Sequence, residues 1–280
     1  MGMEQTETER KEEMSLPLLI KSKLFWRYNG TLEACWYLGC GDGASVAMQD
    51  AYIADMDRFG VDTITINLLN EGGSTLFKGE FMKSDWDWNR VNLLCGFIQR
   101  LKARGKNVII VFFDCPQIPD SEHPKYPFWK YKDRIPAFLQ IVTEALSWDV
   151  DGYILGIETN RGPLHAAEVD ALIRHIQEFA FRVDEKGNRH YLPVGTHEQS
   201  YRIAPSADFI GYETKNHPVT QGDSTSVAAM VAEVQGLVAC AGGKPVWVIE
   251  SNSSEGAQAK AQNKAMAALP GVVGMSMPMS

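Results

Sequence analysis

Two apolar runs that each end at a glutamate constrain this sequence more than any other feature. Residues 246–249 (Val-Trp-Val-Ile) lead directly to Glu250, and residues 152–157 (Gly-Tyr-Ile-Leu-Gly-Ile) lead to Glu158. Short continuous apolar runs are typical of buried parallel strands, and functional residues of α/β barrels collect at the carboxyl ends of such strands. The sequence therefore predicts that both glutamates lie at the same edge of a parallel sheet.

The composition is that of one large globular domain. The chain has 280 residues, 45% of them hydrophobic and 22% charged, and it contains no apolar run of the roughly 18 residues that a membrane span requires. The net charge of −8 and the pI near 5.3 oppose binding to phosphate backbones or anionic membranes. We therefore expect neither nucleic acid nor membrane as a partner, while the oligomeric state stays open.

The spacing of the cysteines and the N-terminal residues indicate the cellular compartment. The five cysteines lack the paired spacing of a zinc or redox site; they are Cys35, Cys40, Cys95, Cys115 and Cys240. This scatter predicts reduced, packed thiols. Residues 1–13 are charged and have no apolar core of a secretory signal. The expected location is cytoplasmic, although a protein released by lysis or carried on a particle would have the same sequence features.

Apolar runs alternate with segments of helical periodicity along the chain, which is the pattern of βα units around a parallel sheet. The predicted strands are 33–39, 63–69, 107–113, 152–158, 190–196, 209–214, 246–250 and 272–277. The helices predicted between them are 45–59, 88–104, 133–148, 163–184, 225–240 and 255–269.

Eight strands in this length predict an α/β fold of the (β/α)8 TIM-barrel class. Residues 31–280 are expected to form a single barrel domain, preceded by a tail and lead-in at residues 1–30. The final outer helix is expected to be missing, because the sequence stops at Ser280 soon after the eighth strand. A doubly wound open sheet is the alternative, but no G-x-G-x-x-G motif follows the first predicted strand.

The alternation of side chains along a strand predicts which residues point into the barrel. Counting back in steps of two from Glu158 assigns the even-numbered positions of 152–156 to the inside. The same count from Glu250 assigns Val246 and Val248 to the inside, and it directs Trp247 and Ile249 towards the helices.

Strands four and seven of such a barrel bring two carboxylates near each other. A separation of about 5 Å is the spacing of a retaining glycosidase, in which one carboxylate attacks the anomeric carbon and the other protonates the leaving oxygen. Mutual repulsion raises the pKa of one carboxyl group, so one is charged while the other is neutral. The sequence thus predicts glycoside hydrolysis, unless Glu158 and Glu250 are merely rim residues paired with Arg or Lys.

The segment around Glu250 is similar to a known motif. Residues 243–250 (Gly-Lys-Pro-Val-Trp-Val-Ile-Glu) resemble the seventh-strand motif of clan A glycoside hydrolases, a group of retaining (β/α)8 enzymes. The resemblance implies that Glu250 is the nucleophile and that Glu158 is the general acid and base. Residues 209–212 resemble the sixth strand of the same group, which implies that Tyr212 donates a hydrogen bond that orients Glu250.

Two positions depart from the clan A pattern. Ile157 stands where clan A enzymes usually have an asparagine before the acid, and Asn67 stands where an arginine is usual at the end of the second strand. These departures leave open a barrel that binds carbohydrate without cleaving it.

Polar and aromatic residues near the other strand ends suit a sugar, because sugar rings have apolar faces and hydroxyl edges. The predicted substrate-binding residues are Asp42, Asn67, Asp114, Trp129, His197, Tyr212, Glu213 and Asn252. Trp88, which opens a predicted helix, is expected to belong to the core instead.

Other chemistries remain as alternatives. Lys215, after the sixth strand, is at the position that Schiff-base aldolases and lyases use on this fold. A metal site is a further alternative, but no established ligand spacing supports it, so neither a metal nor a cofactor is expected. Its ligands would be His197, Glu198, Glu213 and His217.

Overall fold

The structure is a computed structural model that describes residues 23–25, 45–59, 63–70, 73–74, 76–78, 82, 84–114, 132–157, 164–198, 204–213, 227–250, 261–262, 265–266 and 268–277. The helices are α1 (Val46–Phe59), α2 (Trp88–Ala103), α3 (Ile135–Leu146), α4 (Ala166–Phe179) and α5 (Val227–Cys240). The strands are β1 (Lys23–Phe25), β2 (Thr63–Asn70), β3 (Gly73–Ser74), β4 (Asn107–Asp114), β5 (Gly152–Ile157), β6 (Phe181–Val183), β7 (Arg189–Tyr191), β8 (Val194–Glu198), β9 (Phe209–Glu213), β10 (Val246–Glu250) and β11 (Val272–Met277).

The parallel strands close into a barrel. Their order is β1, β11, β10, β9, β8, β5, β4, β2, and β1 pairs in parallel with both β11 and β2. Because the first strand bonds to the last, these eight strands leave no open edge between them. The predicted TIM barrel is confirmed, and the open doubly wound sheet is wrong.

The strand that closes the barrel comes earlier than the sequence suggested. The strand predicted at 33–39 lies outside the described residues, and Lys23–Phe25 pairs with both β2 and β11. This segment belongs to the stretch 1–30 that was expected to be lead-in, so the barrel begins before residue 31. The three described residues of this strand are too few to show a periodic hydrophobic pattern, so it was not predicted.

Local signals set the helix starts. The carboxylate of Asp87 accepts hydrogen bonds from the backbone N–H groups of Asn89 and Arg90 and caps α2. Glu168 accepts from the backbone N–H of His165 at 2.7 Å and begins α4. The five helices match the predicted segments to within a few residues, except at the end of α4. Residues 261–262 and 265–266, within the sixth predicted helix, are also helical.

The predicted end of α4 and the predicted strand 190–196 are both wrong. The helix stops at Phe179, and an antiparallel hairpin of β6 and β7 precedes the barrel strand β8. The carboxylate of Asp184 accepts from the backbone N–H groups of Lys186 and Asn188, which builds the turn of this hairpin. Pro193, which has no N–H, separates β7 from β8.

The helices pack on the outward residues of the barrel. Tyr153 and Leu155 of β5 are buried in the cluster that includes Phe138 of α3, and the Tyr153 hydroxyl lies 3.0 Å from the hydroxyl of Ser147. Ile154 is also fully buried but lies at the opposite, inner alternation. The predicted inner and outer faces of this strand are therefore confirmed. Among the described residues, no helix is long and apolar enough to cross a membrane.

A buried ion cluster fixes the amino-terminal end of the barrel. Asp151, which precedes β5, accepts from the backbone N–H of Val108 at 2.8 Å and from the ammonium of Lys102 at 2.6 Å. Arg182 approaches the same carboxylate to 3.5 Å. Paired in this way, the nearly buried charge ties the last turn of α2 to the starts of β4 and β5.

Inside the barrel, Gly195 of β8 makes room for the ring of Phe209 on the next strand. A Cβ atom at Gly195 would lie 2.5 Å from that ring. Phe209 is fully buried and lies 5.9 Å from the ring of Trp247. A methyl group at position 195 would therefore overlap this buried ring.

We expect Gly195→Ala to lower the free energy of unfolding by about 1–3 kcal/mol, because the added methyl group overpacks a closed interior. Urea denaturation measures the effect. Gly96→Ala in α2 is the control, since a Cβ there meets only the end of the Arg100 side chain and alanine favours the helix. Equal stability of the two variants would contradict the packing described here.

Candidate active site

The inner and outer faces of β10 are the reverse of those predicted. Val246 and Val248 are buried in the cluster that contains Val234 and Leu237 of α5, so they face the helices. Trp247 faces the barrel interior, where it contacts Phe209. The prediction counted back from Glu250 in steps of two, and that count fails because the strand is irregular before the glutamate.

A register shift in β10 returns position 250 to the inner side. Val248 pairs with Tyr212 of β9, and Glu250 then pairs with Glu213, so one extra residue lies on β10 between these pairs. Tyr212 is an outward residue, which makes position 213 an inner one by alternation. Without the bulge, Glu250 would share the outward face of Val246 and Val248. The backbone thus places Glu250 at an inner register position, at the carboxyl end of β10.

Glu158 follows directly after β5 and lies outside the described residues. The described part of β5 alternates as predicted, with Ile154 inside and Tyr153 and Leu155 facing the helices. β5 and β10 are the fourth and seventh strands of the barrel in chain order, separated in the sheet by β8 and β9.

Tyr212 does not have the predicted role. Its hydroxyl donates a 2.6 Å hydrogen bond to Oε1 of Glu233 in α5, and its ring is buried with Met230 on the helix side. The alternation of β9 explains this position, because Ile210 and Tyr212 both point outward. The assignment of Tyr212 as the donor that orients Glu250 is therefore wrong.

Asn67 occupies an inner position of β2 and is fully buried. It is preceded inside by Thr65, while Ile66 packs outward. Among the described residues, neither the amide nitrogen nor the amide oxygen of Asn67 has a hydrogen-bond partner. Leaving a buried polar group unpaired costs about 1–3 kcal/mol, and such exceptions require an explanation. A ligand that reaches the interior from the mouth would supply these bonds.

Two more polar side chains inside the barrel were missed by the sequence reasoning. The hydroxyl of Thr65 and the indole N–H of Trp247 are buried and, within the described part of the chain, make no hydrogen bond. The run Thr63-Ile-Thr-Ile-Asn67 carried a signal for Thr65, since its polar residues recur with a period of two. The inward position of Trp247 had no such signal, because the bulge before Glu250 makes a count in steps of two assign it to the wrong face.

The remaining predicted residues divide into three groups. His197 is buried at an inner position of β8, in register with Gly211. Asp114 ends β4 in register with Ile157, and its place in the site stays a prediction. The other predicted site residues lie outside the described residues; they are Asp42, Trp129 and Asn252.

Trp88 is not a core residue as predicted: 60% of it is exposed at the start of α2. Trp86 takes the packed position instead, with its ring 4.5 Å from that of Phe77. Within the described ranges, no three His, Cys, Asp or Glu side chains form a group that could hold a metal ion. Lys215, the residue of the Schiff-base alternative, and His217, a ligand of the metal alternative, lie outside those ranges.

The barrel is similar to solved glycoside hydrolases. PbGH5A, a glycoside hydrolase family 5 enzyme from Prevotella bryantii B14, has a TM-score of 0.62 at 11% identity over 94% of this chain and 89% of its own. A GH113 β-1,4-mannanase has a TM-score of 0.57 at 14% identity, covering 92% of this chain and 87% of its own.

The exo-β-1,4-mannosidase Op5Man5 from Opitutaceae bacterium strain TAV5 has a TM-score of 0.58 at 16% identity over 91% of this chain. This chain spans about half, 51%, of the length of that protein. No protein-family model matches the sequence, and no curated protein matches it. At these identities the similarity establishes the fold, which is that of the clan A enzymes whose seventh-strand motif the sequence resembles.

Replacing Asn67 with leucine tests whether its amide serves ligand binding rather than the stability of the fold. We expect Asn67→Leu to raise the free energy of unfolding by about 1–2 kcal/mol, because an unpaired buried amide is removed, and to weaken ligand binding. Asn107→Leu is the control, since the Asn107 amide donates to the hydroxyl of Thr63 and its loss destabilises the protein. Chemical denaturation of both variants gives the comparison. Destabilisation by Asn67→Leu would show that the amide has a structural partner.

Tyr212→Phe tests the corrected position of the tyrosine. Removal of the hydroxyl breaks its bond to Glu233 and is expected to cost about 1 kcal/mol of stability. Turnover, by contrast, should stay within about twofold of wild type, because an outer-layer hydrogen bond is lost rather than a contact at the mouth. A large loss of turnover with the fold intact would restore Tyr212 to the site.

Proposed function

We propose that the protein is a glycoside hydrolase that cleaves O-glycosidic bonds of a poly- or oligosaccharide with retention of configuration. Glu250 is the nucleophile and Glu158 is the general acid and base. The observation that carries the proposal is the bulge in β10, which returns Glu250 to the inner register at the carboxyl end of a closed barrel. A strand that bends locally to bring one carboxylate to the mouth is typical of a functional position.

The chemistry proceeds in two steps. Glu158 donates its proton to the glycosidic oxygen while the carboxylate of Glu250 attacks the anomeric carbon, so that the leaving sugar departs and a glycosyl ester forms. Glu158, now ionised, takes a proton from a water molecule while the water oxygen attacks the anomeric carbon. This attack breaks the ester bond to Glu250. Glu250 is released as a carboxylate, and two inversions give net retention.

The alternation of β5 supports the role proposed for Glu158. Tyr153 and Leu155 face the helices, and Ile154 faces the interior. We propose that position 158 continues this alternation on the inner side. β5 and β10 belong to one eight-stranded barrel, whose interior is wide enough for side chains from different strands to meet.

The interior also supplies hydrogen bonds for a sugar. The amide of Asn67 both donates and accepts, and the indole N–H of Trp247 donates; both groups are buried and unpaired within the described residues. Asn67 stands where an arginine is usual in clan A, and its neutral amide can donate to and accept from a sugar hydroxyl group.

Glu213 supports the proposal through its register. It pairs with Glu250 on the neighbouring strand, and neighbouring strands lie about 4.8 Å apart. Glu213 is therefore proposed to bind substrate beside the nucleophile.

The structural relatives support this choice of chemistry over its rivals. Their names describe glycoside hydrolases, among them a mannanase, an exo-mannosidase and a family 5 enzyme. No described feature favours a Schiff-base lyase at Lys215. A barrel that binds carbohydrate without cleaving it is the remaining alternative, because Ile157 replaces the usual asparagine.

The two-glutamate mechanism predicts that Glu158→Gln and Glu250→Gln each reduce hydrolysis of an aryl glycoside by about 10³-fold or more, since each amide loses the charge or the proton that its step requires. Glu233→Gln is the control, because Glu233 bonds to Tyr212 in the outer layer. Its turnover should match that of wild type.

A mechanism-based fluoroglycoside panel identifies the nucleophile directly. We expect mass spectrometry to find the sugar on the peptide that contains Glu250. Unchanged turnover in either catalytic variant would remove the mechanism, and a borohydride-trapped adduct on Lys215 would replace it with the lyase. Binding of oligosaccharide without turnover of any substrate would identify the non-catalytic barrel.

A further inference from the structure

Trp88 lies on the same side of the barrel as the proposed site. β2 ends at Asn70, at the carboxyl end of the sheet, and α2 returns the chain to the opposite end. The bond between Lys102, near the end of α2, and Asp151, before β5, shows that the helix finishes at the amino-terminal end. Trp88, the first residue of α2, therefore lies at the mouth side, outside the ring of strands.

The indole is exposed on a rigid support. Asp87 caps the helix at the preceding position and also contacts Arg90 at 3.3 Å. Trp86 forms an isolated bridge with Phe77 and stacks on Phe138 at 6.5 Å. Trp86 packs beneath this segment, and the neighbouring Trp88 is 60% exposed. The start of the helix that carries Trp88 is thus held in place, and a ligand can reach its side chain from solvent.

The surroundings of Trp88 indicate the chemistry of its ligand. The described residues near it in sequence that are also exposed are polar or charged, namely Lys78, Asp85 and Asn89. A protein partner would require a contiguous apolar patch, which these residues do not provide. A sugar ring instead offers an apolar face for the indole and hydroxyl groups for carboxylates and amides.

We infer that Trp88 is a stacking platform for a sugar unit of a polymeric substrate, at a distance from the bond that is cleaved. The inference rests on the proposed function and adds that the substrate is a chain long enough to reach the helix layer. Trp88 would then contribute to the binding of long substrates and have no effect on short ones.

Trp148 provides a matched control. It is 62% exposed, almost the same as Trp88. It follows α3 and precedes β5, and Arg182 donates to the carbonyl of the adjacent Ser147. These contacts place it at the amino-terminal end of the barrel, where a chain held in the mouth does not reach. The two residues therefore differ in location but not in type or exposure.

The experiment compares Trp88→Ala, Trp88→Phe and Trp148→Ala on a polysaccharide and on an aryl monoglycoside of the same sugar. For Trp88→Ala we expect KM on the polymer to rise about tenfold with little change in kcat, because about 1.4 kcal/mol of stacking is lost equally from ground state and transition state. Kinetics on the monoglycoside should not change. Trp88→Phe should recover part of the affinity, and Trp148→Ala should behave as wild type.

Equal kinetics of Trp88→Ala and Trp148→Ala on the polymer would overturn the inference while the proposed function stands. If wild type cleaves neither substrate, the proposed function fails. Electrophoresis in gels that contain the polysaccharide then measures whether Trp88 binds the polymer without any turnover. Loss of retardation only in Trp88→Ala supports the platform, and equal mobility of all variants overturns it. A lower sedimentation mass of Trp88→Ala would assign the residue to contacts between copies of the chain, and it would also overturn the platform.

Discussion

A closed parallel sheet has only an inside and an outside, and the register between neighbouring strands decides which residues occupy each. In this protein the register is regular around β5, where outward Tyr153 and Leu155 alternate with inward Ile154. It is irregular between β9 and β10, where one extra residue precedes Glu250. Trp247 lies inside by the regular alternation before this insertion, and the insertion returns position 250 to the same side, so the proposed chemistry depends on it.

Buried polar groups lie on both sides of the sheet. On the outside, the hydroxyl of Tyr153 lies beside that of Ser147 and Tyr212 donates to Glu233, whereas the hydroxyl of Thr143 in α3 has no partner among the described residues. On the inside, polar atoms of Thr65, Asn67 and Trp247 are unpaired within the described residues. Since each buried unpaired group destabilises the fold, the inner group supports an interior that binds a ligand.

The sequence predicted the elements well where its hydrophobic pattern was long and regular. The barrel class, five of the helices and the strands β2, β4, β5, β9, β10 and β11 follow from period and turn signals. It failed where a tertiary feature overrides the pattern. The three described residues of β1 are too few to show a period, and Pro193 splits one predicted strand into two. The bulge makes the count back from Glu250 assign Val246 and Val248 to the wrong face.

The prediction of individual site residues succeeded and failed for similar reasons. Asn67 and His197 were selected because polar residues are conspicuous in buried strands, and the structure places both at inner positions, while their contact with a substrate stays a prediction. Tyr212 was misassigned, because similarity to a family motif carries no information about which way a residue points. Trp88 was placed in the core because it opens a helix, whereas Trp86 takes the packed position.

The short first strand has a consequence for how the barrel opens. Among the described residues, β1 pairs with β11 at three positions and with β2 at two, whereas β2 and β4 pair at six. Cooperative units with few hydrogen bonds open at lower free energy than the rest of a fold. Transient fluctuations should therefore separate β1 from β2 and β11, so that the backbone amides of β1 exchange with solvent while those of β4 remain protected.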